Sequence, residues 1–438
     1  MTEDSTSSKS FGFLNTKQTI QWAAAIYVAA LLVFSGTMAA RLLKPSPDNH
    51  YVYLADAMLH GRLSIEGKPP HRNDWAEYQG KWYVSFPPAP AVLMIPGVAA
   101  FGLHFNDRLF TLGFAAAGPA LLFLIIAALV RRKSIDRKPW EAALLSGLYG
   151  VGTVYYFGAV QGSVWYSAHM VGSFFLLLFI LASLNCRHPI LAGFCLILAF
   201  ACRPPMLLAF PFFIFEAHTF RLDPSLNFVS GLKAWDKKIV LSNVRSMLLF
   251  AAPIAVIMCL LMWMNAARFD NPFEFGHGLL KVRWTGRIEK WGLFNYHYLA
   301  RNLAVFGALL PWVSPTKPYI QISNHGLALW FTTPVLFYIL WPKVKGRLYT
   351  ALAITAAAVA VPSLFYQNSG WVQFGYRFAL DYMPFLMLLI AASGRRFSKL
   401  FYALVVFSVA VNLFGAVTFD RIKSVFPSKA PTAYFEPD

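Results

Sequence analysis

Charged residues make up only 13% of this 438-residue chain, and the ones that could do chemistry are unevenly placed. Four carboxylates, Asp48, Asp56, Asp74 and Glu77, crowd into a stretch at 41–107 that is rich in Pro, His and aromatic residues. A carboxylate within hydrogen-bond reach of a hydroxyl can take its proton as the hydroxyl attacks, which is worth about 10² to 10⁴ in rate. Asp48 stands just ahead of a helix expected to start near His50, so capping that helix is its competing structural use. Asp56 lies two helical turns further on; it lines the same cleft if the helix is continuous, with a solvated surface carboxylate as the plainer alternative. Asp74 and Glu77 are further carboxylates that could contact a reacting hydroxyl, with that same alternative. His169, in WYSAHMVGSFFLLLF, can donate to a phosphate or an acceptor, or serve as a hydrogen-bonded structural histidine. Arg203 sits inside an apolar block, where an arginine costs about 2.5 to 3.5 kcal/mol to insert and needs a partner, a water-filled cavity or a snorkelling path. Its guanidinium could fork onto two phosphate oxygens. Arg377 precedes another apolar block, and an i,i+4 pair with Asp381 is its plain structural use. Trp75, Trp82, Trp165, Trp284 and Trp291 can stack on sugars or anchor at a membrane boundary.

The elements that position these groups follow from composition. At 57% hydrophobic, with a mean hydropathy of +0.51, the chain carries more apolar surface than one water-soluble core needs. The apolar residues recur in blocks of roughly 14 to 25, the length that crosses about 30 Å of hydrocarbon. The formal net charge of +18 sits mostly in short links between blocks, which reads as a topology signal and not as a nucleic-acid surface. Cys186, Cys195, Cys202 and Cys259 show no CxxC or His-Cys pattern of zinc spacing and are expected to be buried thiols; no metal ligand is assigned and the metal requirement stays open.

The expected fold is an all-α polytopic membrane protein with roughly eleven transmembrane helices. The tail 1–19 is expected to be disordered and cytoplasmic, and block 21–40 to remain as the first span rather than a cleaved signal. The stretch 41–107 then forms short helices lying along the outer surface. Blocks at 109–130 and 141–160 follow, then a short outer loop at 161–169 and a fourth helix ending at an inner turn at 185–188; later blocks stand at 246–265, 326–341, 348–365, 381–392 and 400–419. The block 190–215 is broken at Arg203-Pro204-Pro205 into two half-crossings, because a residue before proline resists helical geometry. A basic inner loop at 218–245 separates the module 20–217 from a second module, 246–419. That module holds an outer segment at 267–325 with an interfacial helix at 294–310, and an outer tail at 420–438 follows it. Inner loops dense in Lys and Arg place the N-terminus in the cytoplasm. Two outer segments rich in ionisable and aromatic residues imply a site on that face, since polar loops at membrane depth survive only where they line a cavity. A multi-pass lipid or glycolipid transporter or flippase is the alternative; it tends to place polar residues near the midplane on broken helices.

The motifs narrow the reading. PDNHYVYLADAMLHGRL at 47–63, with its D-x-x-Y, resembles the start of the first outer loop of GT-C glycosyltransferases, which include protein O-mannosyltransferases and lipid A aminoarabinose transferases. FPPAPAVLMIP at 86–96 is similar to their proline-led juxtamembrane helix, and GFCLILAFACRPPMLLAFP at 193–211 and GWVQFGYRFALDYMPF at 370–385 also resemble tracts of that group. NPFEFGHG at 271–278 looks like one of its outer-loop elements. The resemblance implies a bacterial inner-membrane hexosyl- or pentosyltransferase with a polyprenyl-phosphate sugar donor, surrounded by membrane lipid and acting on an outer-face glycan, lipid or protein acceptor. It implies Asp48 as catalytic base, a basic residue at Arg203 for the donor phosphate, and Arg377 as a second phosphate or sugar contact. His169 departs from the pattern, which carries an acidic residue there.

Overall fold

The computed structural model describes residues 14–71, 73–219, 237–282 and 284–427; the expected tails at 1–19 and 420–438 and the basic loop at 218–245 lie partly outside them. The first helix, α1 (Thr16–Met38), starts at a reciprocal cap in which Asn15 accepts from the Gln18 N–H and Gln18 accepts from the Asn15 N–H. The polar stretch that follows holds α2 (His50–Leu59), a hairpin of β1 (Trp75–Tyr78) and β2 (Lys81–Val84), and α3 (Ala89–Phe101). The hairpin replaces helix where only short helices were expected. Its strands pair Trp75 with Val84 and Tyr78 with Lys81 around Gln79-Gly80, both with positive φ, as a two-residue hairpin turn requires. Tyr51, Leu54, Trp75 and Met94 bind α2, the hairpin and α3 into a small core of their own.

The chain continues as α4 (Asp107–Arg131), then α5 (Pro139–Val151) and α6 (Tyr155–Ala159), which split the single helix expected at 141–160. After α7 (Val164–Ser183) come α8 (Pro189–Phe200) and α9 (Phe210–Thr219), separated at Arg203 by a 3₁₀ turn, Pro204–Ala209. Arg203 is extended, at φ −145° and ψ 102°, so the Pro-Pro pair breaks the block where expected. The rest comprises α10 (Lys237–Phe269), α11 (Thr285–Trp291), α12 (Leu299–Gly307), α13 (Leu329–Thr332), α14 (Arg347–Phe365), α15 (Met383–Ala392) and α16 (Lys399–Thr418). The interfacial helix expected at 294–310 is shortened to a 3₁₀ turn, Tyr296–Tyr298, and α12.

Among the described residues six helices are long and apolar enough to cross a membrane: α1, α4, α7, α10, α14 and α16. The protein is thus helical and multi-pass, while the expected count of eleven is not confirmed, since the other apolar blocks form shorter or broken helices. The most central span is α7, with 83% of its apolar window buried, against 11% for α10. That peripheral position leaves Cys259 exposed, unlike the three other cysteines, which are buried as expected. Where α8 meets α10 the backbones touch: a side chain at Gly193 would collide with the Phe250 carbonyl.

Hydrogen bonds assign the helix ends to two poles. At one pole Arg137 donates to the carbonyls of Ile390, Ala391 and Arg395, and Arg132 forks onto Glu216 at 2.6 and 2.8 Å. The opposite pole gathers the polar stretch, the start of α7 and the end of α16, where Arg41 meets Asp420 at 2.6 Å.

Candidate active site

Asp48 is held by its backbone. Two residues earlier, the Ser46 N–H donates to Asp107 at the start of α4 at 2.7 Å, and the Ser46 hydroxyl bonds the same carboxylate. The Asp48 carbonyl accepts from the Val164 N–H at 2.9 Å, which ties it to the start of α7. Arg108 tightens this corner by donating to the carbonyls of Arg41, Lys44, Pro45 and Gln161. The side chain does not cap α2, whose N-cap is Asn49 with no side-chain bond. The Asp48 carboxylate instead faces a cavity of about 990 Å³. Burial raises its pKa above the usual 3.8, partly offset by His71 and by Asn73.

The same cavity is lined by Asp74, Trp165, Trp284, Trp371, Arg377 and Asp420. Asp74 accepts from the Trp165 indole N–H at 2.9 Å, and burial raises its pKa too. Lys281 reaches the cavity because the segment around it docks along β1, through the Glu77 N–H to the Leu279 carbonyl and the Lys281 N–H to the Trp75 carbonyl. Asp56 and Glu77 do not line the cavity: Asp56 faces His60 at 3.6 Å and Arg62 at 3.9 Å, and Glu77 faces Lys281 at 3.8 Å.

Beside this polar room lies a smaller, mostly apolar chamber of about 100 Å³, lined by Phe86, Pro204, Phe275, His277, Tyr366 and Phe378 among others. Arg203 and His169 belong to this chamber and not to the larger one. Both are gathered by Asp381, which accepts from Arg203 Nε at 3.1 Å and Nη2 at 2.9 Å and lies 3.0 Å from His169 Nδ1. Asp381 therefore pairs with Arg203 and not, as the i,i+4 spacing suggested, with Arg377. The sequence reveals Asp381 only as that helical partner; nothing local in the chain signals a bond to a residue 178 positions away. His277, whose role the sequence left open, is half-buried in the chamber wall, and desolvation lowers its pKa to about 4.

Arg377 and Trp165 line both spaces. Arg377 is 6% exposed, and among the described residues no carboxylate forms an ion pair with it. Its Nη atoms approach the carbonyls of Val372 and Trp371, at 3.5 and 3.4 Å, and the guanidinium interacts with the neutral Tyr166 side chain, whose ring centre lies 5.7 Å away. A buried cation with such weak satisfaction is suited to an anion arriving from either side. Among the described residues no cluster of three or more His, Cys, Asp or Glu could hold a metal ion.

No family model matches the sequence, and no curated protein does. Solved membrane structures with a similar path include the Archaeoglobus fulgidus oligosaccharyltransferase in the apo form, at 15% identity and a TM-score of 0.47 over 94% of this chain and 57% of that one. ArnT from Cupriavidus metallidurans, bound to undecaprenyl phosphate, matches at 15% identity and a TM-score of 0.43, over 89% of this chain and 63% of its own. The archaeal oligosaccharyltransferase AglB, in complex with an inhibitory peptide and a dolichol-phosphate, matches at 13% identity and a TM-score of 0.43 over 94% of this chain and 56% of its own. The chain thus spans less than two thirds of the length of each.

Proposed function

We propose that this chain is a GT-C type glycosyltransferase of a bacterial inner membrane that moves a hexosyl or pentosyl group from a polyprenyl-phosphate donor to a hydroxyl of a glycan, lipid or protein on the non-cytoplasmic face. The observation that carries the reading is the pairing, on one cavity, of a half-buried carboxylate with a buried arginine that has no acidic partner among the described residues: Asp48 and Arg377. The motif resemblance supplies the donor class, and the basic pole opposite Asp48 supports a cytoplasmic N-terminus.

In this reaction the acceptor oxygen bonds the anomeric carbon as the bond from that carbon to the phosphate oxygen breaks. The electron pair leaves with the phosphate, the hydroxyl proton goes to Asp48, and direct attack inverts the configuration. No separate acid is needed, because a phosphate leaving group is a weak base compared with an alkoxide. Arg377 stabilises the phosphate charge as it grows, and Arg203, steered by Asp381, is the second cation toward the small chamber. Asp74 faces the acceptor side.

The test is mass spectrometry of lipid that co-purifies with the full-length Asp48→Asn protein. Trapped sugar-phosphate polyprenol supports the reading and names the donor. Ordinary phospholipid alone overturns it in favour of a lipid transporter.

A further inference from the structure

Two donors converge on one oxygen of Asp48, and their arrangement leaves the other oxygen open. The Asn73 N–H donates to His71 Nδ1 at 3.2 Å, so Nδ1 acts as an acceptor and the ring proton sits on Nε2. That Nε2 is buried, has no hydrogen-bond partner among the described residues, and stands 3.5 Å from Asp48 Oδ1. The Asn73 side-chain amide approaches the same oxygen at 3.5 Å. Both distances are at the outer edge of a hydrogen bond, a spacing that tightens when substrate fills a site. No donor among the described residues reaches Oδ2.

The ring that presents Nε2 is itself braced. His71 packs edge-on against His50 at 5.2 Å and against Trp75 at 6.0 Å, and His50 Nε2 bonds the Asn73 carbonyl at 2.9 Å. The backbone of Asn73 therefore serves both histidines, its N–H fixing the tautomer of one and its carbonyl anchoring the other. His50 stacks on Trp75 at 4.2 Å, which continues the brace into the hairpin.

We propose that His71 is a positioning residue for Asp48: by offering an N–H to Oδ1 it turns Oδ2 toward the acceptor hydroxyl, so that one defined oxygen takes the proton. This rests on the reading of Asp48 as the base. Nε2 carries a proton in either charge state of the ring, so His71 orients the carboxylate and does not relay its proton. The resemblance drawn from the motifs gives no role to this histidine.

The experiment is a carbon-13 titration of aspartate carboxyls in the full-length protein in lipid nanodiscs, with Asp48→Asn identifying the Asp48 signal. His71→Phe keeps a ring against His50 and Trp75 and removes the donor; His71→Gln restores an amide N–H near the Nε2 position. The other ionisable groups around Asp48, namely His50, Asp74, Arg108, Tyr166, Lys281, Arg377 and the Arg41–Asp420 pair, are the same in both variants. The Asp48 midpoint is expected to rise by about one pH unit in His71→Phe and to return in His71→Gln. With the donor found by lipid analysis, kcat for His71→Phe is expected to fall about tenfold to a hundredfold with the donor KM unchanged. A midpoint that stays put in His71→Phe, or a loss confined to KM, overturns the proposal. Failure of the transferase reading shows separately, as ordinary phospholipid on Asp48→Asn whatever the titration gives.

Discussion

Asp48 answers two opposed demands. As the proposed base, its carboxylate must be ionised to accept a proton, yet burial raises its pKa above 3.8. A carboxyl whose pKa is raised on folding adds stability below its unfolded value, and that contribution is lost as pH rises through the folded value; at neutral pH the ionised group weighs against the fold. Asp48→Asn is accordingly expected to melt at a higher temperature than the parent at pH 7, by a margin that narrows toward pH 4, while losing nearly all transfer activity. Thermal scans across that range, beside a transfer assay, check both parts. Asp381 is the converse, a buried carboxylate whose removal strands a partly exposed arginine and a buried histidine. Asp381→Asn is expected to cost about 3 to 5 kcal/mol, and Arg203→Met with Asp381→Leu to recover most of it, both read by unfolding in detergent. Arg377→Gln breaks no ion pair among the described residues, so a small change in melting is expected together with loss of bound polyprenyl phosphate by native mass spectrometry.

At the level of elements, the α8–α10 contact depends on one missing side chain. Gly193→Ala forces a methyl toward the Phe250 carbonyl and the Pro253 ring, and a loss of about 1 to 3 kcal/mol is expected in the same unfolding measurement. Which elements the sequence revealed depended on range. The break at Arg203 was legible because Pro-Pro acts on its immediate neighbour, and α4, α7, α14 and α16 were legible because each is one uninterrupted apolar run. The hairpin was missed although Gln79-Gly80 is a tight-turn pair flanked by Trp75, Trp82 and Val84, because the surrounding prolines and short helices suggested interfacial helix. In the site, Asp48, Arg203 and Arg377 stand out in the sequence as charges beside apolar blocks, but the sequence does not tell that Arg203 lines a different chamber from Asp48. The Asp381 bridge and the bracing of His71 do not show there either, since each depends on contacts between segments that only the folded chain brings together.

For the molecule as a whole, the two poles make a prediction about sidedness. A cysteine introduced at Lys68, near the site, is expected to react with a membrane-impermeant maleimide from outside intact cells, and one at Lys345, at the basic pole, only after lysis. The reverse pattern would sink the proposed topology. The chamber behind Arg377 holds only about 100 Å³, room for the first carbons of an isoprenoid and little more. If the proposed donor enters by this chamber, most of its carrier lies among the acyl tails outside the protein, and donors of short and long chain are expected to turn over alike once each is dissolved in the bilayer.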